Sequence, residues 1–238
     1  MMNIASQNAL AVQMMSSGSY KEAIPLLTSA LKTLRNEMAE NVGTNSIGYE
    51  RESHYKSVEM SITRMSSPAT WSSADSQLST LGMFTILDRF FLIDEKSFQH
   101  HASSESVTNH VVAVLLYNIA LAFHLHGSRS EDRRQALRKA LHYYDLAQKA
   151  AVTASDGMVS VQGDEVMLQL ACCNNKGHIY SLLFQKDEAY RCLDWMREVV
   201  AVARPHIECE DFCSVVTDLV LTVTLFGHKD SLCAAPCA

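Results

Sequence analysis

Apolar and small residues recur every three to four positions in seven stretches of the chain, and each stretch predicts a helix with one buried face. Ile4–Met15 carries Leu10, Val12, Met14 and Met15 among the small residues Ala5, Ala9 and Ala11. Ser16-Ser17-Gly18-Ser19 ends it, glycine being the residue that most readily takes the left-handed C-terminal cap. Tyr20–Met38 follows, with Ala23, Leu27, Ala30, Leu31 and Leu34 on one face. Two amphipathic helices across a tight polar turn make a helical hairpin. Val107–Leu125 and Ser130–Val152 form a second pair, with Ser130 as N-cap and Glu131 and Asp132 in the first turn, where the helix dipole favours anions. Glu165–Phe184 and Asp187–Ala203 form a third pair, closed by Arg204-Pro205. Asp211–Phe226 predicts a last apolar helix before a fraying tail.

The interval after the first hairpin departs from this pattern. Asn41–Thr80 is rich in serine and carries Gly43, Gly48 and Pro68, too little apolar surface to offset the entropy of ordering, which predicts a mobile loop over much of it. Leu81–Ile93 (LGMFTILDRFFLI) is the opposite, dense in β-branched and aromatic residues. That content favours an extended segment over a helical turn, docked on the helices. The whole chain reads as one helical domain over 1–238. Its hairpins lie at 3–38, 107–152 and 164–204, with an insertion at 39–106, a capping helix at 207–228 and a tail at 229–238.

Composition agrees and adds exclusions. With 47% apolar residues over 238, the chain can bury one sizeable core, and only 9 glycines and 4 prolines argue against a turn-rich β-sandwich. A net charge of −6 excludes a chain-wide polyanion-binding surface. The first residues carry no Lys or Arg ahead of their apolar positions, so they do not read as a secretory signal. The longest apolar run, Val215–Phe226, is interrupted by Asp218 and is shorter than a bilayer span. Seven cysteines without framework spacing predict reduced thiols. A cytoplasmic protein is the expectation.

The hairpins also share a register. In the second helices, Ala23-x3-Leu27-x2-Ala30, Ala140-x3-Tyr144-x2-Ala147 and Ala189-x3-Leu193 coincide. In the first helices, Leu10-Ala11-x2-Met14, Leu116-x2-Ile119-Ala120-x2-Phe123 and Gly177-x2-Tyr180 do the same. Small residues at Ala11/Ala23, Ala120/Ala140 and Gly177/Ala189 let the two helices of a hairpin approach closely. The pattern resembles the tetratricopeptide repeat (TPR), in a degenerate form of about three units with a long insertion after the first. The resemblance implies an all-α superhelix of helical hairpins and a concave groove, lined by the first helices, that holds a protein or peptide. In one subset of that family Lys, Asn and Arg clamp an acidic chain terminus. Here only Asn118 matches the clamp asparagine, with Ala5, Ala9, Ala171 and Asn175 at related positions and no Lys or Arg.

The groove predicted from this register presents Asn8, Tyr117, Asn118, Leu121, His124, Leu125, Asn174, His178 and Ser181, apolar and amide-bearing, suited to an extended peptide or a helix. The other reading is that the chain's own Phe84–Ile93 covers it; separately, Asn118 and Asn175 at equivalent positions can be structural, bonding between adjacent helices. No phosphate-binding, nucleophile-elbow, zincin or dinucleotide motif is present, and no catalytic residue, cofactor, metal or small-molecule substrate is expected. Cys209/Cys213 and Cys233/Cys237, near His206 and His228, lack convergent zinc-ligand spacing; Cys172-Cys173 belong to a packed helix. The principal reading is a non-enzymatic scaffold for a protein partner. The alternative is an RNA-associated helical repeat using the basic cluster Arg129, Arg133, Arg134, Arg138 and Lys139. Glu131 and Asp132 dilute that cluster, which reads first as a solvated helix face and could equally meet an acidic protein, so nucleic acid is not the expected partner.

Overall fold

The computed structural model describes residues 3–42, 60–64, 84, 86–93, 105–154 and 163–203. Among them lie six helices and one pair of short strands, an all-α architecture. The predicted capping helix at 207–228, the tail, Cys209, Cys213, Cys233 and Cys237 lie outside the described residues.

Helix α1 (Ile4–Ser16) starts on Asn3, whose side chain accepts the Ser6 amide at 2.7 Å. It stops at Gly18, whose φ of +86° places it in the left-handed region. The Gly18 and Ser19 amides then turn back to Met15 O and Met14 O at 2.9 Å each, a Schellman ending. α2 (Tyr20–Val42) buries Ala23, Leu27, Ala30 and Leu34 of the predicted face, with Tyr20, while Leu31 is only half-buried. α3 (Glu105–Arg129) has no polar stripe, because α2, α4 and the strand pair occupy its sides. It is long and apolar enough to cross a membrane, yet most of it is buried inside the protein, the environment of a core helix.

α4 (Arg133–Ala154) begins later than the sequence suggested. Ser130 Oγ accepts the Asp132 amide at 3.2 Å, a turn ahead of the helix, and Asp132 O takes the first helical amide, from Ala136, at 3.2 Å. Asp132 therefore stands at the N-cap position, and the two acids precede the first turn. α5 (Gly163–Leu182) and α6 (Lys186–Ala203) complete the third pair.

Inside the insertion the extended expectation holds at strand β2 (Arg89–Ile93). Its partner β1 (Met60–Arg64) corrects the reading of the serine-rich stretch as loop around those five residues. The pair is antiparallel, with Met60 opposite Ile93, Ile62 opposite Phe91 and Arg64 opposite Arg89.

The chain divides into two compact units. One comprises Met1–Ser66 with Asp88–Met158, and the other Ser67–Leu87 with Val159–Ala238. In the first, α1, α2, α3 and α4 pack in hairpins, and β2 lies on α1 and α3. In the second, α5 packs on α6 through buried Leu170, Ala189, Leu193 and Met196.

Candidate functional site

In the first unit the site is built where β2 crosses the first helices. An antiparallel strand turns alternate N–H and C=O groups away from its partner. At Phe91 those groups meet a carboxamide. Asn118 Oδ1 accepts the Phe91 amide at 3.2 Å, and Asn118 Nδ2 donates to Phe91 O at 2.8 Å. Asn8 Nδ2 donates to the same carbonyl at 3.0 Å, and Asn118 Nδ2 also donates to Asn8 Oδ1 at 2.9 Å. Tyr117 OH donates to Arg89 O at 3.2 Å. Asn8, Tyr117 and Asn118 are each 0% exposed, so the bonds form out of water, where an unpaired peptide group would be costly.

The side chains of the segment fill apolar space. Phe90 and Phe91 are buried, and the Phe91 ring meets Tyr117 edge-on at 4.9 Å. Tyr117 continues to Tyr144 at 5.7 Å, and Tyr144 to the buried ring of His124, with 3.4 Å between Tyr144 OH and His124 Nδ1. His124, Leu121 and Leu125, also expected to line the groove, are buried residues of α3.

The second unit repeats the device. Asn175 Oδ1 accepts the Leu87 amide at 2.8 Å, and Asn175 Nδ2 donates to Leu87 O at 3.1 Å. Asn174 supports it by donating to Asn175 Oδ1 at 3.3 Å. Ser181 is buried and returns its hydroxyl to Gly177 O at 2.9 Å, while His178 is half-exposed. The role expected of Gly177 changes. A Cβ there would lie 2.5 Å from Cε1 and Cζ of Phe84, so the missing side chain makes room for that ring on the back of α5.

Asn8, Tyr117 and Asn118, expected from the sequence to line a groove, all lie against strand β2. The structure gives them an occupant from the same chain. In the second unit Asn175 makes the equivalent contact on its own, and the signal for it was its equivalence to Asn118 in the hairpin register.

The buried thiols offer different chemistry. Cys173 Sγ donates to Cys192 O at 3.4 Å, and bonding with Cys192, reinforced by burial, raises the Cys173 thiol well above its ordinary range. Such a thiol is a poor nucleophile and a poor metal ligand. Among the described residues no three of His, Cys, Asp and Glu are grouped to hold a metal ion.

Comparison with known proteins returns no matching family model, no similar curated protein and no similar solved structure.

Proposed function

We propose that the protein is a TPR-like, non-enzymatic interaction scaffold whose first helices hold an extended polypeptide by its backbone. In the absence of a partner it carries part of its own insertion in that place. The observation that supports this is the repeated two-point grip, Asn118 on Phe91 and Asn175 on Leu87. One carboxamide satisfies both the N–H and the C=O of a single residue, as a neighbouring strand would, and reads no side chain in doing so. Selectivity comes from the apolar space around it.

That space sets the class of partner. Fully burying a large apolar side chain is worth about 1.5–3 kcal/mol, so Phe90, Phe91 and Ile93 together hold β2 in place against casual exchange. A competing peptide must be extended and bring adjacent aromatic and aliphatic residues. A charged chain terminus has no cation to meet among Asn8, Tyr117 and Asn118.

A fluorescein-labelled peptide with the sequence of residues 87–95 tests the reading. Wild type is expected to ignore it. The Phe90→Ser, Phe91→Ser double variant, with its own segment weakened, is expected to bind it, and adding Asn118→Ala is expected to weaken binding at least about tenfold, the effect of losing a buried hydrogen-bonding group. A double variant that keeps its helical circular dichroism and still fails to bind the peptide sinks the proposal.

A further inference from the structure

The outer face of α4 carries a group of cations that the fold leaves unneutralised. Arg133, Arg134, Arg138 and Lys139 fall within two turns, and Arg134, Arg138 and Lys139 are exposed. None of the four is in an ion pair among the described residues, although Glu131 and Asp132 stand just ahead of the helix. The arginines of α6 are handled differently: the exposed Arg191 pairs with Glu188 at 2.7 Å and the half-exposed Arg197 with Asp194 at 3.4 Å, each one turn away. On α4 the residue one turn from Arg134 is another arginine, Arg138, a like-charged pair that weakens a helix rather than supporting it. From Arg133 to Ala154 the helix holds Arg133, Arg134, Arg138, Lys139 and Lys149 against the single acid Asp145, in a chain whose net charge is −6.

Flat apolar surface adjoins these charges. Phe123 of α3 and Tyr143 of α4 stack with centroids 5.6 Å apart and planes 8° apart, both half-exposed. Lys139 Nζ lies 5.4 Å from the Phe123 centroid, and the exposed His142 ring meets Tyr143 edge-on at 5.6 Å.

We infer that this face of the α3–α4 hairpin docks single-stranded RNA, with phosphates on Arg134, Arg138 and Lys139 and a base against the Phe123–Tyr143 stack. Arg134 and Arg138 lie about 6 Å apart along the helix, so one extended strand meets both. Cations beside half-exposed aromatic rings are what single-strand binding asks for. An acidic peptide would use the charges and leave the rings idle. A bilayer would call for large apolar side chains standing out between the cations, and Gln135, Ala136 and Leu137 do not provide them. The inference is independent of the peptide-holding site, since it uses none of its residues.

Fluorescence anisotropy with the full chain and a labelled oligouridylate of about 15 nucleotides tests it. Three phosphate contacts predict a log K against log salt slope of about −2, hence affinity falling by roughly 20-fold between about 50 and 200 mM salt. Arg134→Gln with Arg138→Gln is expected to bring the slope to about −1 and weaken low-salt binding at least about tenfold. Tyr143→Ala is expected to lose about five-fold or more with the slope unchanged. These positions are exposed or half-exposed, and circular dichroism confirms that each variant is folded. The inference is overturned by absence of saturable binding at about 50 mM salt. Unchanged affinity in either variant overturns it too, as does equal competition by polyaspartate or by phosphatidylserine vesicles.

Discussion

Asn118 holds Phe91 by both ends of one residue, its Oδ1 on the amide at 3.2 Å and its Nδ2 on the carbonyl at 2.8 Å. Asn118→Ala therefore strands two groups out of water, the Phe91 N–H and Asn8 Oδ1, while the Phe91 carbonyl keeps Asn8. The expected cost is about 2–4 kcal/mol in urea denaturation. Asn118→Asp should be worse, because it keeps no donor and sets a carboxylate against two oxygens. A loss under about 0.5 kcal/mol, ordinary for a surface site, would mean the grip is not what holds β2.

Gly177 and Phe84 form a second coupled pair. Gly177→Ala drives a methyl to 2.5 Å from the Phe84 ring, and overpacking of this kind costs about 1–3 kcal/mol. Phe84→Leu shortens the ring's reach and should recover part of that loss in the double variant. Strict additivity of the two substitutions in a double-mutant cycle would contradict the contact.

Phe184 occupies the position a glycine normally takes. Its φ is +60°, its amide and that of Gln185 turn back to Ser181 O and Tyr180 O, and its ring is 68% exposed. Left-handed backbone costs an ordinary residue about 1–2 kcal/mol, and a ring that is 68% exposed gains little packing to offset it. Phe184→Gly should be neutral to stabilising by about 1 kcal/mol, read as a small rise in thermal midpoint. A clear destabilisation would be the contrary result.

His110 makes stability depend on pH. It is buried in α3, its Nε2 makes no hydrogen bond among the described residues, and burial lowers its pKa from 6.5 to about 4. Between those values the unfolded chain binds a proton that the folded chain refuses, so stability falls as pH drops from 6.5 towards 4 and is fully present above that window. The contribution is ~3 kcal/mol across the window. Denaturation at a series of pH values should give His110→Gln a shallower acid slope than wild type. Parallel slopes would show that the imidazole titrates normally.

How far the sequence went is clearest at the helices. Small residues at three- and four-residue spacing, such as Ala23/Leu27/Ala30 and Ala140/Tyr144/Ala147, mark faces that are fully buried, because a helix records its neighbour in its own period. Strand β1 left no such record. Met60–Arg64 is five residues long and is made a strand by Arg89–Ile93, a partner far along the chain. The site was half legible for the same reason. Asn8, Tyr117 and Asn118 share a first-helix register, but the backbone they bind has no sequence signature, since any residue offers an N–H and a carbonyl. Gly177 showed the opposite limit: its smallness was plain, and only the fold revealed that the neighbour was Phe84.

The bonds from Asn8 reach residues 91 and 118, and this fixes an order of events during synthesis. The first hairpin leaves the ribosome before the partners of Asn8 have been made. Translation at about 5–20 residues per second leaves it incomplete for roughly 5–20 s, until α3 emerges. Over that interval Asn8 has neither Phe91 nor Asn118 to bond, and a chain stopped before residue 118 lacks the Asn118 partner.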